Sequence, residues 1–112
     1  MRVVDRKTFL GLPEGTFYCK GERWCFDDMC LKGESLSNDW FYLSFNWIES
    51  DDSGMAFDRL EDMAANGASY PMEDAWTRDG CFDDDALFLV FERDDLERLR
   101  GLIDKTLGSA NG

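Results

Sequence analysis

The sequence predicts an α+β domain: a small, mostly antiparallel sheet of four to six strands with two to three helices packed against it. Three observations predict it. Trp40 to Ile48 alternates at the strand period, with Phe41, Leu43, Phe45 and Trp47 uniformly apolar. Leu96, Leu99, Ile103 and Leu107 recur at helical spacing. The strands of the first half follow one another at hairpin distances, without the helices that parallel crossovers need.

The elements are read in order as follows. Asp5 caps a short helix over Arg6 to Leu10, with Phe9 and Leu10 turned to the core. Pro13-Glu14-Gly15 is a turn, and Thr16 to Lys20 a strand. Trp24 to Phe26 and Met29 to Lys32 read as two short strands around a turn at Asp27-Asp28. In the long strand, the set Phe41, Leu43, Phe45 and Trp47 is expected to face the core, leaving Trp40, Tyr42 and Ile48 covered by a helix or partly exposed. A second helix, capped by Asp52 or Ser53, runs to about Ala65 on an apolar stripe of Phe57, Leu60 and Ala64. It stops at Asn66-Gly67. Ala68 to Gly80 is less regular, with a short extended piece near Tyr70. Ala86 to Glu92 is apolar on both faces and belongs inside the sheet. Asp94 or Asp95 caps a last helix that Gly108 ends.

A chain of 112 residues forms one domain and can bury a core without metal or disulfides. The four cysteines, Cys19, Cys25, Cys30 and Cys81, have no tight C-x₂-C pair of the kind zinc ribbons use, and they read as thiols in a reducing cytoplasm. No stretch is long and apolar enough to span a bilayer. The charge is −12, and its distribution is uneven. Met1 to Leu36 carries six acids and six bases. Ser37 to Asp85 carries thirteen acids and two bases, Arg59 and Arg78. Ala86 to Gly112 carries five acids and four bases. Such a middle segment repels nucleic acid and anionic membrane and attracts basic protein surfaces.

Catalytic patterns are missing. The chain has no histidine, which removes the commonest general base and the usual nucleophile triads. Neither phosphate-loop spacing of glycines occurs. Asp83-Asp84-Asp85 lacks the spacing of a calcium loop, and neighbouring residues on an extended chain point apart. The sequence therefore predicts no enzyme, no catalytic residue, no metal and no cofactor.

Val4-Asp5-Arg6-Lys7-Thr8-Phe9-Leu10-Gly11-Leu12-Pro13-Glu14-Gly15-Thr16 resembles the opening of a family of small phage and prophage proteins, which begin with an R-K-x-F-L-x-L-P-x-G-T segment. The likeness continues at Leu31 to Ser35, at Asn38-Asp39-Trp40 and at Asp79 to Phe88. The resemblance implies a phage origin and carries no active site. By analogy of size and charge, it directs attention to inhibitors of bacterial defence, such as anti-CRISPR proteins.

The expected function is accordingly stoichiometric binding to a host protein with a basic surface, in the bacterial cytoplasm, through a phosphate-mimicking acidic face. The residues expected on that face are Asp51, Asp52, Asp58, Glu61, Asp62, Asp83, Asp84 and Asp85. Trp40, Tyr42 and Trp76 are the expected aromatic anchors. A signalling-nucleotide binder, drawing on Arg59, Arg78 and Lys32, is the alternative, as is a phage structural or accessory protein. Whether the chain forms oligomers is left open.

Overall fold

The computed structural model describes residues 1–111, with side chains through Gly108. It is an α+β fold built on one six-stranded, wholly antiparallel sheet. The strands are β1 (Arg2–Asp5), β2 (Phe17–Glu22), β3 (Cys25–Leu36), β4 (Asp39–Leu43), β5 (Thr77–Arg78) and β6 (Leu87–Val90), in the order β1-β6-β2-β3-β4-β5. Three helices accompany them: α1 (Arg6–Leu10), α2 (Ser53–Asn66) and α3 (Arg93–Asn111).

The core lies on one face of the sheet. Val4, Tyr18, Trp40, Phe88 and Val90 project there, and α1 closes over them with Phe9. Phe9 stacks on Phe88 at 4.1 Å between ring centroids and meets Tyr18 and Trp40 edge-on. Rings at these angles gain beyond the area they bury. The Trp40 indole N–H donates to the Tyr18 hydroxyl at 2.9 Å, which satisfies both groups inside this cluster. Asp5 caps α1 as its sequence indicates, accepting from the Thr8 N–H at 2.8 Å.

Arg6 locks α1 to the sheet. It is 5% exposed, donates to the carbonyls of Asn38 and Asp83, and lies 5.0 Å over the Trp40 ring. Lys32 is buried on the same side. Its ammonium donates to the Gly33 carbonyl and to the Ser35 hydroxyl, over the Phe9 ring.

The structure corrects several expectations. Trp40 and Tyr42 face the core, and Phe41 and Leu43 face away. The facing of this strand is the reverse of the one its hydropathy suggests. Alternation cannot choose a face when both sets are apolar. Cys25 to Leu36 is one continuous strand, so Asp27 and Asp28 lie within β3. The chain reverses earlier, at Arg23-Trp24. Arg2–Asp5 pairs with β6, a strand that four residues at the chain start do not announce. The regular part of the long strand ends at Leu43, and Ile48 forms an isolated bridge with Met72. The last helix begins before Asp94. Asp95 accepts from the Glu92 N–H, the returning half of a capping box, and the helix passes through Gly108. β6 lies between β1 and β2, inside the sheet as expected.

Neither α2 nor α3 lies along the sheet. The radius of gyration is 16.3 Å, against about 13 Å for a compact chain of this length. The segments around Trp47–Glu49 and Pro71–Glu73 bond to each other and carry α2 beyond the end of β4.

Candidate protein-binding surface

The eight acids expected on one face fall into two groups. Asp51, Asp52, Asp58, Glu61 and Asp62 belong to α2 and its entry. Asp83, Asp84 and Asp85 lie beside α1, where Arg6 bridges the carbonyls of Asp83 and Asn38. Asn38 precedes the first residue of β4, and α2 follows beyond the last. The two groups thus lie at opposite ends of that strand and do not form the single face expected.

The α2 group is built around a groove of about 410 Å³, lined by Trp47, Ser50, Asp51, Asp52, Ser53, Ala56, Phe57 and Leu60. Asp52 is the N-cap of α2 and accepts from the Met55 N–H at 2.7 Å. Gly67 ends the helix with φ of 68°, a left-handed conformation that glycine adopts without steric cost. Along α2 the residue turned inward is Ala56, with Leu60 and Met63 following at helical spacing. Phe57, expected on that stripe, is 69% exposed. Trp47, expected in the core, is 51% exposed. Two large rings thus stand free at a groove whose rim carries Asp51 and Asp52.

Among the described residues, no ion pair involves Asp51, Asp52, Asp58 or Glu61. Arg59, the one base of α2, donates to the Glu49 carbonyl and lies over Tyr70. Asp62 is the exception on the helix. The Tyr70 hydroxyl, at 2.6 Å, and the Asn66 amide hold its carboxyl below the usual range, so Asp62 anchors the loop after α2 and is not a free contact.

The expected aromatic anchors are sorted differently by the fold. Trp40 is wholly buried and cannot touch a partner, because the facing of β4 puts it at the centre of the core. Tyr42 is half-buried and lines a cleft of about 300 Å³ with Asp27, Asp28, Asp79 and Cys30. Lys20 answers Asp79 there at 3.0 Å. Burial, followed by the neighbouring Cys19, pushes the Cys30 thiol up to about 11. A thiol at its ordinary value of 9 holds roughly a hundredfold more thiolate at pH 8. Iodoacetamide at that pH is therefore expected to alkylate Cys30 far more slowly than a model peptide thiol. Equal rates, followed by peptide mass spectrometry, would contradict the burial.

Trp76 alone keeps the position expected of it, 49% exposed over Gly33. A β-carbon on Gly33 would lie 3.0 Å from the indole, so a larger residue there would push the ring outward by a few tenths of an ångström. It walls a groove of about 570 Å³ with Phe41, Leu31, Glu14 and Glu34.

The three bases considered for a nucleotide phosphate do not converge. Arg59 is committed on α2, Lys32 is buried under α1, and Arg78 pairs with Asp39 at 3.0 Å. Among the described residues no group of histidine, cysteine or carboxylate side chains is arranged to hold a metal ion, and no helix is long and apolar enough to cross a membrane.

Comparison with models of known families, with curated proteins and with solved structures returns no match. What the fold defines is an α+β protein that presents carboxylates without ion-pair partners among the described residues, and two exposed rings, at the start of a helix standing off its sheet.

Proposed function

We propose that the protein is a stoichiometric inhibitor that docks on the basic, nucleic-acid-binding surface of a bacterial defence or nucleic-acid-handling protein. The observation that carries the reading is the groove at the start of α2, where Trp47 and Phe57 stand exposed beside Asp51 and Asp52. Interfaces draw most of their energy from a few aromatic and arginine side chains seated in pockets. An arginine of the partner can lay its guanidinium on the Trp47 ring while Asp51 or Asp52 accepts its N–H groups. Asp58 and Glu61, three residues apart and exposed, extend the negative surface along the helix. The resemblance of the opening residues to phage proteins is in keeping with an anti-defence role.

The test is capture from bacterial lysate on the immobilised wild-type protein and on a Trp47→Ala/Asp51→Asn variant. The wild type is expected to retain a nucleic-acid-binding protein in a one-to-one complex that duplex DNA displaces. The variant is expected to lose at least about 30-fold in affinity, the size of a hot-spot truncation. Retention that neither DNA nor the substitutions affect would refute this reading.

A further inference from the structure

The sheet face opposite α1 is partly covered by the chain's own rings. Phe45 closes on Phe17, with 5.8 Å between ring centroids, and Trp76 packs on the bare backbone of Gly33. Beside the indole a groove of about 570 Å³ remains, a volume in the range of small-ligand sites. Its apolar walls are Trp76, Phe41 and Leu31, and the carboxylates that line it are Glu14 and Glu34.

Both sides of the groove are held in place. The Gly15 N–H donates to the Lys32 carbonyl at 2.8 Å, and the Lys32 N–H donates to the Thr16 carbonyl at 2.8 Å. The turn that carries Glu14 is thereby fastened to β3. Trp76 immediately precedes β5, whose Arg78 is the cross-strand partner of Phe41. Half of the indole is still exposed. A ring fixed in this way meets a ligand at little ordering cost.

Charge selects what the groove can hold. Among the described residues, neither Glu14 nor Glu34 takes part in an ion pair. Lys32 lines the groove, but its ammonium is turned to the α1 side, bonded to the Gly33 carbonyl and the Ser35 hydroxyl over Phe9. Burial holds the Lys32 pKa below its ordinary value, and the attraction of Glu14 only partly offsets this. Arg78 is paired with Asp39. An anion would therefore meet two carboxylates and no free base. A cation meets those carboxylates and the electron-rich face of an indole, the best of the aromatic partners for positive charge.

We infer that this groove binds a small organic cation, a guanidinium or ammonium compound whose flat apolar body lies against Trp76 and Phe41 while its head meets Glu34 and Glu14. A guanidinium suits the site well, since it stacks on rings and offers a carboxylate two N–H groups at once. The net charge of −12 draws such ligands to the protein. The site goes beyond the proposed function, because no residue of the α2 groove takes part in it.

The probe is phenylguanidine, with phenylurea as its neutral near-isostere. Each is titrated into isotope-labelled protein and followed by NMR up to about 20 mM, a range suited to a fragment-sized ligand. Phenylguanidine is expected to shift the Trp76 indole N–H and the Gly15 and Gly33 amides, with a Kd of about 1–10 mM. It is expected to bind about tenfold more tightly than phenylurea. Trp76→Ala, at a half-exposed position, is expected to abolish the Gly15 and Gly33 shifts. Glu14→Gln/Glu34→Gln, at two exposed positions, is expected to leave phenylurea binding unchanged and to remove the preference for the cation. Shifts confined to the Trp47 indole at the α2 groove, or none at all, overturn the inference. So does equal affinity for the two probes, or a tenfold preference that survives the double substitution.

Discussion

Trp40→Ala is expected to destabilise the protein by about 3–5 kcal/mol, the range for deleting a buried large aromatic. The indole is fully buried against Phe9, Phe88 and Tyr18, with the Arg6 guanidinium over its ring. Its loss opens a cavity that α1, only five residues long, cannot close by shifting, because Arg6 holds that helix to two fixed carbonyls. The Tyr18 hydroxyl also loses the indole N–H as its partner. Domains of this size have about 5–15 kcal/mol in total, so the variant should stand near the threshold of unfolding. Urea midpoints would measure it, with Trp24→Ala as control. Trp24 is 78% exposed, and its truncation is expected to fall within about 0.5 kcal/mol of wild type. Similar losses in both variants would contradict the packing described.

Asp39→Ala is expected to cost about 2–3 kcal/mol at neutral pH, the scale of a buried charge-assisted hydrogen-bond set. Burial by itself would raise this carboxyl. The Gly80 and Trp40 N–H groups and the Arg78 guanidinium outweigh it and hold the pKa below the usual 3.8. The carboxylate pins the turn after β5 to the start of β4. Arg78, whose side chain is 54% exposed, can return to water when its partner goes, but the Gly80 N–H loses the carboxylate that fixes its turn. Because the folded-state pKa is depressed, this stabilisation is fully present above about pH 4 and is lost as pH falls through the folded value. The gap between wild type and variant should therefore narrow below pH 4. A gap that stays constant from pH 7 to pH 2 would show that the carboxylate is not the cause.

Local chemistry made much of the fold readable. The Asp5 cap, the Asp52 cap and Gly67 are signals that a few adjacent residues carry, and the structure places all three as the sequence indicates. β6 was recognisable because a strand inside a sheet is apolar on both faces. β4 faces opposite to its hydropathy for the same reason: when both faces are apolar, alternation marks the strand without marking its inside. That ambiguity moved Trp40 from a binding anchor to the centre of the core. On α2, one position of rotation separates Phe57 from Ala56, and hydropathy favours the larger ring. Trp47, expected in the core, stands exposed because the regular strand ends at Leu43, four residues earlier. The sequence signal that points to the site is the run of acids after it, Asp51 and Asp52, whereas the expected anchors are other rings, Trp40, Tyr42 and Trp76.

In the proposed function, the carboxylates around the α2 groove hold a basic partner. The direct measurement is the dissociation constant of the wild-type complex with the DNA-displaceable protein, at 50 and at 300 mM NaCl. Screening at the higher salt should weaken it by about tenfold or more. An affinity unchanged across that range would mean that these acids serve only to keep the protein in solution.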